Sequence, residues 1–239
     1  MMVASSSSSS SSTYGTNTIP EIKYDVFLSF RGKDTRNNFI SHLYAALCRE
    51  HIHTFVDNQL IKGDEISQSL LNAIERSSIS VIIFSKCYAS SGWCLDELVK
   101  ILECKSKYGQ IVIPVFYHIS PSDVRNQTGD FGNSFSKLAE RFKERIEKLR
   151  TWSSALTEAA NLSGFASHVI RPEYKLIEKI VNDVLKRLSH MVSSDYKDQL
   201  IGVESSINEI ESLLLDVGLK DIYTLGIWGI GGIGKTTIA

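Results

Sequence analysis

The chain has 239 residues, 43% of them hydrophobic and 22% charged, with a formal net charge of −1. That is an ordinary globular balance, long enough for one complete domain and part of a second. Near-zero charge argues against nucleic acid or an anionic membrane as an electrostatically captured partner, and no apolar run reaches the ~20 residues that a membrane span needs.

Residues 1–20 contain an unbroken serine run from Ser5 to Ser12. The run has neither the apolar core of a signal peptide nor the arginines of a transit peptide. It cannot bury enough surface to offset its ordering entropy, so a disordered tail is expected. From Ile22 the pattern becomes strand and helix in alternation. Residues 24–30 form a nearly continuous apolar strand, as expected where a parallel strand is covered on both faces. Residues 35–50 repeat apolar side chains at helical spacing, with Phe39, Leu43 and Leu47 in one row. A second strand is expected over 51–56, a polar loop over 57–63 and a helix over 65–77.

The third strand is predicted over 79–85, followed by a loop over 86–93 and a helix over 94–108 whose Leu98, Ile101 and Leu102 face inward. A fourth strand spans 110–117, and Pro114 inside it predicts an edge position or a bulge. Residues 121–132 read as loop, 133–150 and 152–162 as helices, 165–169 as a short fifth strand and 173–188 as a final amphipathic helix. This alternation predicts an α/β fold with a doubly wound, parallel, five-stranded sheet over residues 22–190. Ligands bind such sheets outside the carboxyl ends of the strands, which singles out the loops at 30–34, 57–63 and 85–93.

Residues 191–198 are polar and read as a linker. Beyond them a helix (204–215) and a strand (222–228) lead into Gly229-Ile230-Gly231-Gly232-Ile233-Gly234-Lys235-Thr236, which fits the phosphate-binding pattern G-x-x-x-x-G-K-[ST] in its required context after a strand. In an intact domain the backbone N–H groups here cradle phosphates, Lys235 reaches the outer ones and Thr236 holds Mg²⁺. No second strand with a metal-binding aspartate follows. The segment therefore reads as an incomplete P-loop NTPase unit, and ATP or ADP with Mg²⁺ is expected only if the rest of such a domain were present. The four cysteines, Cys48, Cys87, Cys94 and Cys104, have no zinc-ligand spacing, so no metal is expected and reduced, packed thiols are.

Within the first domain, Glu97 is expected in the first turn of the helix after the 85–93 loop, on the ligand face. Asp96 and Glu97 there also have a bland explanation, since acidic groups at a helix start gain ~0.3–1 kcal/mol from the dipole. Arg31 fits an ordinary surface ion pair, Trp93 a packing anchor, and Gly63 a tight loop needing φ > 0.

At these residues the sequence resembles a known family. Tyr24-Asp25-Val26-Phe27-Leu28-Ser29-Phe30-Arg31-Gly32 with Asp34-Thr35-Arg36 looks like the opening strand motif of plant TIR domains. Gly63-Asp64-Glu65-Ile66, Trp93-Cys94-Leu95-Asp96-Glu97-Leu98, and Pro114-Val115-Phe116-Tyr117 followed by Pro121-Ser122-Asp123-Val124-Arg125 match its later motifs in order. Residues 199–239, opening with Leu200-Ile201-Gly202-Val203-Glu204, resemble the start of the NB-ARC domain of the same disease-resistance receptors, cut off just after its P-loop.

The resemblance implies a flavodoxin-like TIR fold and an NAD⁺ glycohydrolase and cyclase, with Glu97 as the catalytic residue. Nicotinamide is already a cationic leaving group in NAD⁺, so one carboxylate suffices and no second acid is required. The substrate-binding residues carried over are Phe30, Arg31, Gly32, Lys33, Asp34, Thr35, Gly63, Ser91 and Trp93, and the self-association pair is Ser41 and His42. The loop at 57–63 corresponds to one that rearranges on assembly. The implied partners are other TIR domains, in homo-oligomers and in other immune receptors, and lipase-like signalling proteins downstream. The implied location is cytoplasmic and also nuclear. A non-catalytic adaptor acting by TIR–TIR contact is the alternative. The sequence departs from the family pattern at Lys62, where arginine is usual, and at Gly92, where a larger polar residue is common.

Overall fold

A computed structural model of the chain describes residues 20–57 and 68–197, with side chains through Met191. Five parallel strands, β1 (Tyr24–Phe30), β2 (Thr54–Val56), β3 (Ser77–Phe84), β4 (Ile111–Phe116) and β5 (Phe165–Ala166), form one sheet in the order β2-β1-β3-β4-β5. Strand addition reverses direction between β1 and β3, so a crevice lies beyond their carboxyl ends. Both central strands are covered on each face: Val26, Phe27 and Leu28 of β1 and Ile79 and Val81–Phe84 of β3 are buried.

The helices are α1 (Gly32–Thr35), α2 (Ser41–Arg49), α3 (Gln68–Glu75), α4 (Gly92–Tyr108), α5 (Pro121–Asn126), α6 (Gly129–Arg141), α7 (Ile146–Ala160) and α8 (Glu173–Lys197). The helix expected at 35–50 starts earlier and is interrupted by a π-helical turn over Arg36–Ile40. Residues 121–132, expected as loop, are largely helical. Pro121 occupies the first turn of α5, where a missing N–H costs nothing, and the Ser120 side chain accepts from the Ser122 N–H. Gln127 in the left-handed region (φ 48°) ends α5, and Gly129 (φ 58°) opens α6. The single helix expected at 133–150 is divided between α6 and α7.

Pro114 is neither at an edge nor in a bulge. β4 lies between β3 and β5, and its pairing with β3 runs unbroken from Ile111 to Phe116. The Tyr117 N–H donates to Phe84 O, and Phe116 O accepts from the Ser167 N–H, so even-numbered residues of β4 face β5. Pro114 therefore turns its missing N–H toward β5, which pairs only from Val115 onward. The chain passes Pro114 closely at Gly164, where a Cβ would lie 2.1 Å from Pro114 O, so a side chain is excluded.

The described residues up to Val184 belong to one compact unit, which contains the sheet. α8 continues to Lys197, so residues 191–197, expected as linker, are helical. The segment carrying Gly229, Gly234, Lys235 and Thr236 lies outside the described residues, as do the serine-rich tail and Gly63. Among the described residues no helix is long and apolar enough to cross a membrane.

Candidate active site

β1 delivers Phe30 to the crevice, and Arg31 in an extended conformation turns the chain into α1. Opposite it, Ser91 caps α4, its Oγ accepting from the Cys94 N–H at 3.4 Å and from Arg31 Nη1 at 3.4 Å. α4 starts at Gly92, two residues before the predicted Cys94, and no acidic residue lies in its first turn. The dipole explanation for Asp96 and Glu97 is weakened accordingly, because that effect fades beyond the first turn.

The two neighbouring carboxyl groups part company. Asp96 turns toward α7, accepting from Trp152 Nε1 at 2.8 Å and Lys148 Nζ at 2.9 Å. Glu97 turns inward and is only 8% exposed. Its Oε2 accepts from Ser29 Oγ at 2.8 Å; Ser29 Oγ lies 2.9 Å from Tyr88 Oη, which donates to Cys94 O at 2.9 Å. Among the described residues no lysine or arginine pairs with Glu97. Burial pushes its carboxyl up to about 8; the Ser29 hydrogen bond opposes this, and the charges of Asp57 and Asp96 add to it. Burial also raises the Tyr88 hydroxyl and the Cys94 thiol well above their ordinary values.

Glu97 shares a cavity with Phe30, Arg31, Gly32, Ser91 and Trp93, six of the residues expected there. Arg36, Asp57 and Cys94 line it too. Arg36 lies over the Phe30 ring, 4.9 Å from its centroid. The cavity volume is about 30 Å³, room for a water molecule or two and not for a dinucleotide. At its wall the Arg31 Nε is buried with no hydrogen-bond partner among the described residues.

Lys33, Asp34 and Thr35 do not line the cavity. Lys33 is exposed, Asp34 Oδ2 accepts from the Cys87 N–H at 3.0 Å, and Thr35 Oγ1 donates to Arg31 O at 2.7 Å. Asp34 thus ties α1 to the turn after β3, and Thr35 braces the start of its own helix. Ser29, Tyr88 and Asp57 were not singled out from the sequence as site residues. Ser29 left one trace, a hydroxyl inside an otherwise apolar buried strand.

Ser41 and His42 are exposed on α2, away from the Glu97 cavity. Ser41 Oγ donates to Asn38 O at 2.7 Å, and His42 Nδ1 lies 3.8 Å from Glu173 Oε1. His42 borders an open groove between α2 and α8, about 790 Å³ in volume. Of the cysteines, Cys94 and Cys104 are buried, Cys87 is half-buried and Cys48 is exposed. Among the described residues no cluster of three or more His, Cys, Asp or Glu side chains could hold a metal.

The TIR domain profile matches residues 23–203. The chain is 48% identical over 239 residues to the disease resistance protein RPV1 of Vitis rotundifolia, covering all of this chain and 17% of that protein. It is 44% identical over 217 residues to the TMV resistance protein N of Nicotiana glutinosa, covering 90% of this chain and 19% of that one. The chain thus spans under a fifth of the length of these curated relatives. Among solved structures, the TIR domains of the activated Roq1 resistosome, which directly recognises the pathogen effector XopQ, align with a TM-score of 0.62 at 47% identity, covering 68% of this chain and 99% of theirs. The parallel sheet, the crevice at its switch point and these matches agree: the chain belongs to the TIR domain family of plant disease-resistance proteins.

Proposed function

We propose that this chain is an NAD⁺ nucleosidase of plant innate immune signalling, cleaving the nicotinamide–ribose bond within self-associated TIR assemblies. The observation that carries this reading is Glu97, a carboxyl buried at the switch point of the sheet with Arg31, Ser91 and Trp93 around one cavity. In the reaction the C1′–N bond breaks, and its electron pair leaves with nicotinamide, which becomes neutral. Water adds to the oxocarbenium-like ribosyl centre and loses a proton to solvent; attack by a base nitrogen of the same molecule gives a cyclic product instead. The Glu97 carboxylate holds the ribose hydroxyls and opposes the positive charge, which low dielectric strengthens. Arg31 receives the diphosphate, and Ser91 and Trp93 border the nicotinamide ribose.

A cavity of about 30 Å³ must open before NAD⁺ enters, which suits a reaction that begins only when neighbouring domains assemble. The partners in this reading are TIR domains of the same chain and of other immune receptors, signalling to lipase-like proteins in the cytoplasm and nucleus. ATP or ADP with Mg²⁺ has no role in this reaction.

The exposed groove beside His42 favours a second reading, a non-catalytic adaptor working through TIR–TIR contact. Expression in plant cells separates the two. The enzyme reading expects NAD⁺ loss and defence output to disappear in Glu97→Ala at unchanged protein level. Output that survives Glu97→Ala, yet fails when Ser41 and His42 are both changed to glutamate, establishes the adaptor instead.

A further inference from the structure

Glu97, Ser29, Tyr88 and the Cys94 carbonyl form an unbroken chain of three oxygen–oxygen contacts, of 2.8, 2.9 and 2.9 Å. Each contact at that distance needs one hydrogen. Ser29 and Tyr88 supply one each, and the Cys94 carbonyl supplies none. Two hydrogens cannot fill three contacts. With Glu97 ionised, one contact in the chain brings two oxygens together with no hydrogen between them. With Glu97 protonated, the carboxyl donates to Ser29, Ser29 to Tyr88 and Tyr88 to Cys94 O, and every contact is a hydrogen bond.

We infer that Tyr88, acting through Ser29, is a positioning residue that holds Glu97 as a neutral carboxylic acid in the resting pocket, so that NAD⁺ binding is coupled to release of its proton to solvent. This rests on the reading of Glu97 as the catalytic carboxylate. The surroundings agree: Ser29, Tyr88 and Glu97 are all buried, and the carboxyl is raised chiefly by that burial. The charged and titratable groups facing Glu97 are Arg31 at the end of β1, Arg36 on the π-helical turn, Asp57 after β2, and Cys94 and Asp96 on α4. Asp96 is itself held by Lys148 and Trp152. The cationic nicotinamide ring of the substrate would be a new positive charge against this group, and it favours the ionised form. A neutral Glu97 leaves the empty pocket without the charge that promotes cleavage, and substrate itself draws that charge out.

The two hydroxyls act in opposite directions on this account. Removing the Tyr88 hydroxyl abolishes the contact that lacks a hydrogen when Glu97 is ionised, so Tyr88→Phe lowers the pH at which Glu97 ionises. Removing the Ser29 hydroxyl deprives the carboxylate of its donor, so Ser29→Ala raises it. The test uses the full 239-residue chain with ¹³C-carboxyl-labelled glutamate, the Glu97 resonance being the one lost in Glu97→Gln. We expect a midpoint near 8 in the unaltered protein, moved down by about one pH unit in Tyr88→Phe and up by about as much in Ser29→Ala. Midpoints that move together, or an unmoved midpoint in Tyr88→Phe, overturn the inference. Nicotinamide release is followed across the same pH range. Opposite NMR shifts without any nicotinamide release, at a protein concentration high enough for the domains to self-associate, would leave the proton chain intact and refute the catalytic reading on which its purpose rests.

Discussion

Replacing Trp152 by alanine is expected to destabilise the domain by about 3–5 kcal/mol, the usual cost of emptying a buried aromatic site. Trp152 is 1% exposed, packs edge-on against Phe142 with ring centroids 5.1 Å apart, and fills the space beside Gly92, where an added Cβ would lie 3.3 Å from its ring. Its Nε1–H also donates to Asp96 at 2.8 Å. Trp152 therefore holds the first turns of α4, the helix that carries Glu97, against α7. Trp152→Phe keeps part of the ring packing but loses the donor and some ring volume beside Gly92, so its cost should be smaller, about 1–3 kcal/mol. Urea denaturation of the three proteins checks both values. Equal losses in the two variants would show that the hydrogen bond to Asp96, rather than ring volume, dominates.

Glu97→Gln is expected to stabilise the protein in a pH-dependent way. The folded-state carboxyl ionises near 8, against an ordinary value of 4.5. Between those values the folded chain keeps a proton that the unfolded chain has lost, so the stability of the unaltered protein falls as pH rises through that window. Below the window neither state is ionised and the carboxyl carries no penalty; above it both are, and the full penalty applies. Glutamine removes the ionisation. The stability gained by Glu97→Gln should grow from about pH 4.5 to pH 8 and then level off, at a value on the order of 3–5 kcal/mol. Thermal melts at closely spaced pH values report the difference directly. A gain that stays flat over that range would mean that Glu97 ionises in the folded protein as it does in water. A glutamate kept in place against such a penalty fits a functional group better than a structural one.

The strands that carry the site were legible because their burial on both faces writes itself into the sequence. β1 from Val26 and β3 from Val81 are largely apolar runs, and their order follows once helices alternate with them. β2 and β5, three and two residues long, gave only approximate limits, since short strands hold too few side chains to show a period. Pro114 was misplaced because composition does not tell which side of a strand its missing N–H faces. That depended on where β5 begins, a matter of the chain near Gly164. The helix α5 was hidden behind turn-forming residues, Pro121, Ser122 and Asp123, which here start a helix capped by Ser120 rather than end one.

The site shows the same division. Glu97 was singled out by its place after a strand and by family motifs, and the fold places it in one cavity with Phe30, Arg31, Gly32, Ser91 and Trp93. Asp34 and Thr35 belong to the same motif, yet their hydrogen bonds brace the local backbone. Motif membership does not separate residues that touch a ligand from residues that hold the loop around it. The partners that set the character of Glu97 were not legible at all. Ser29 lies 68 residues away in sequence, and nothing local to it or to Tyr88 specifies that the fold brings them together.

The central claim is that Glu97 cleaves NAD⁺ when TIR domains assemble. Its most direct test is time-resolved NAD⁺ consumption by the purified 239-residue chain at high and low protein concentration, beside Glu97→Ala. The expected result is a specific activity that rises with protein concentration and falls by about a thousandfold or more in Glu97→Ala, in line with the loss of a principal electrostatic group. NAD⁺ consumption by Glu97→Ala within about tenfold of the unaltered chain at high concentration, the alanine protein remaining folded, would contradict the account.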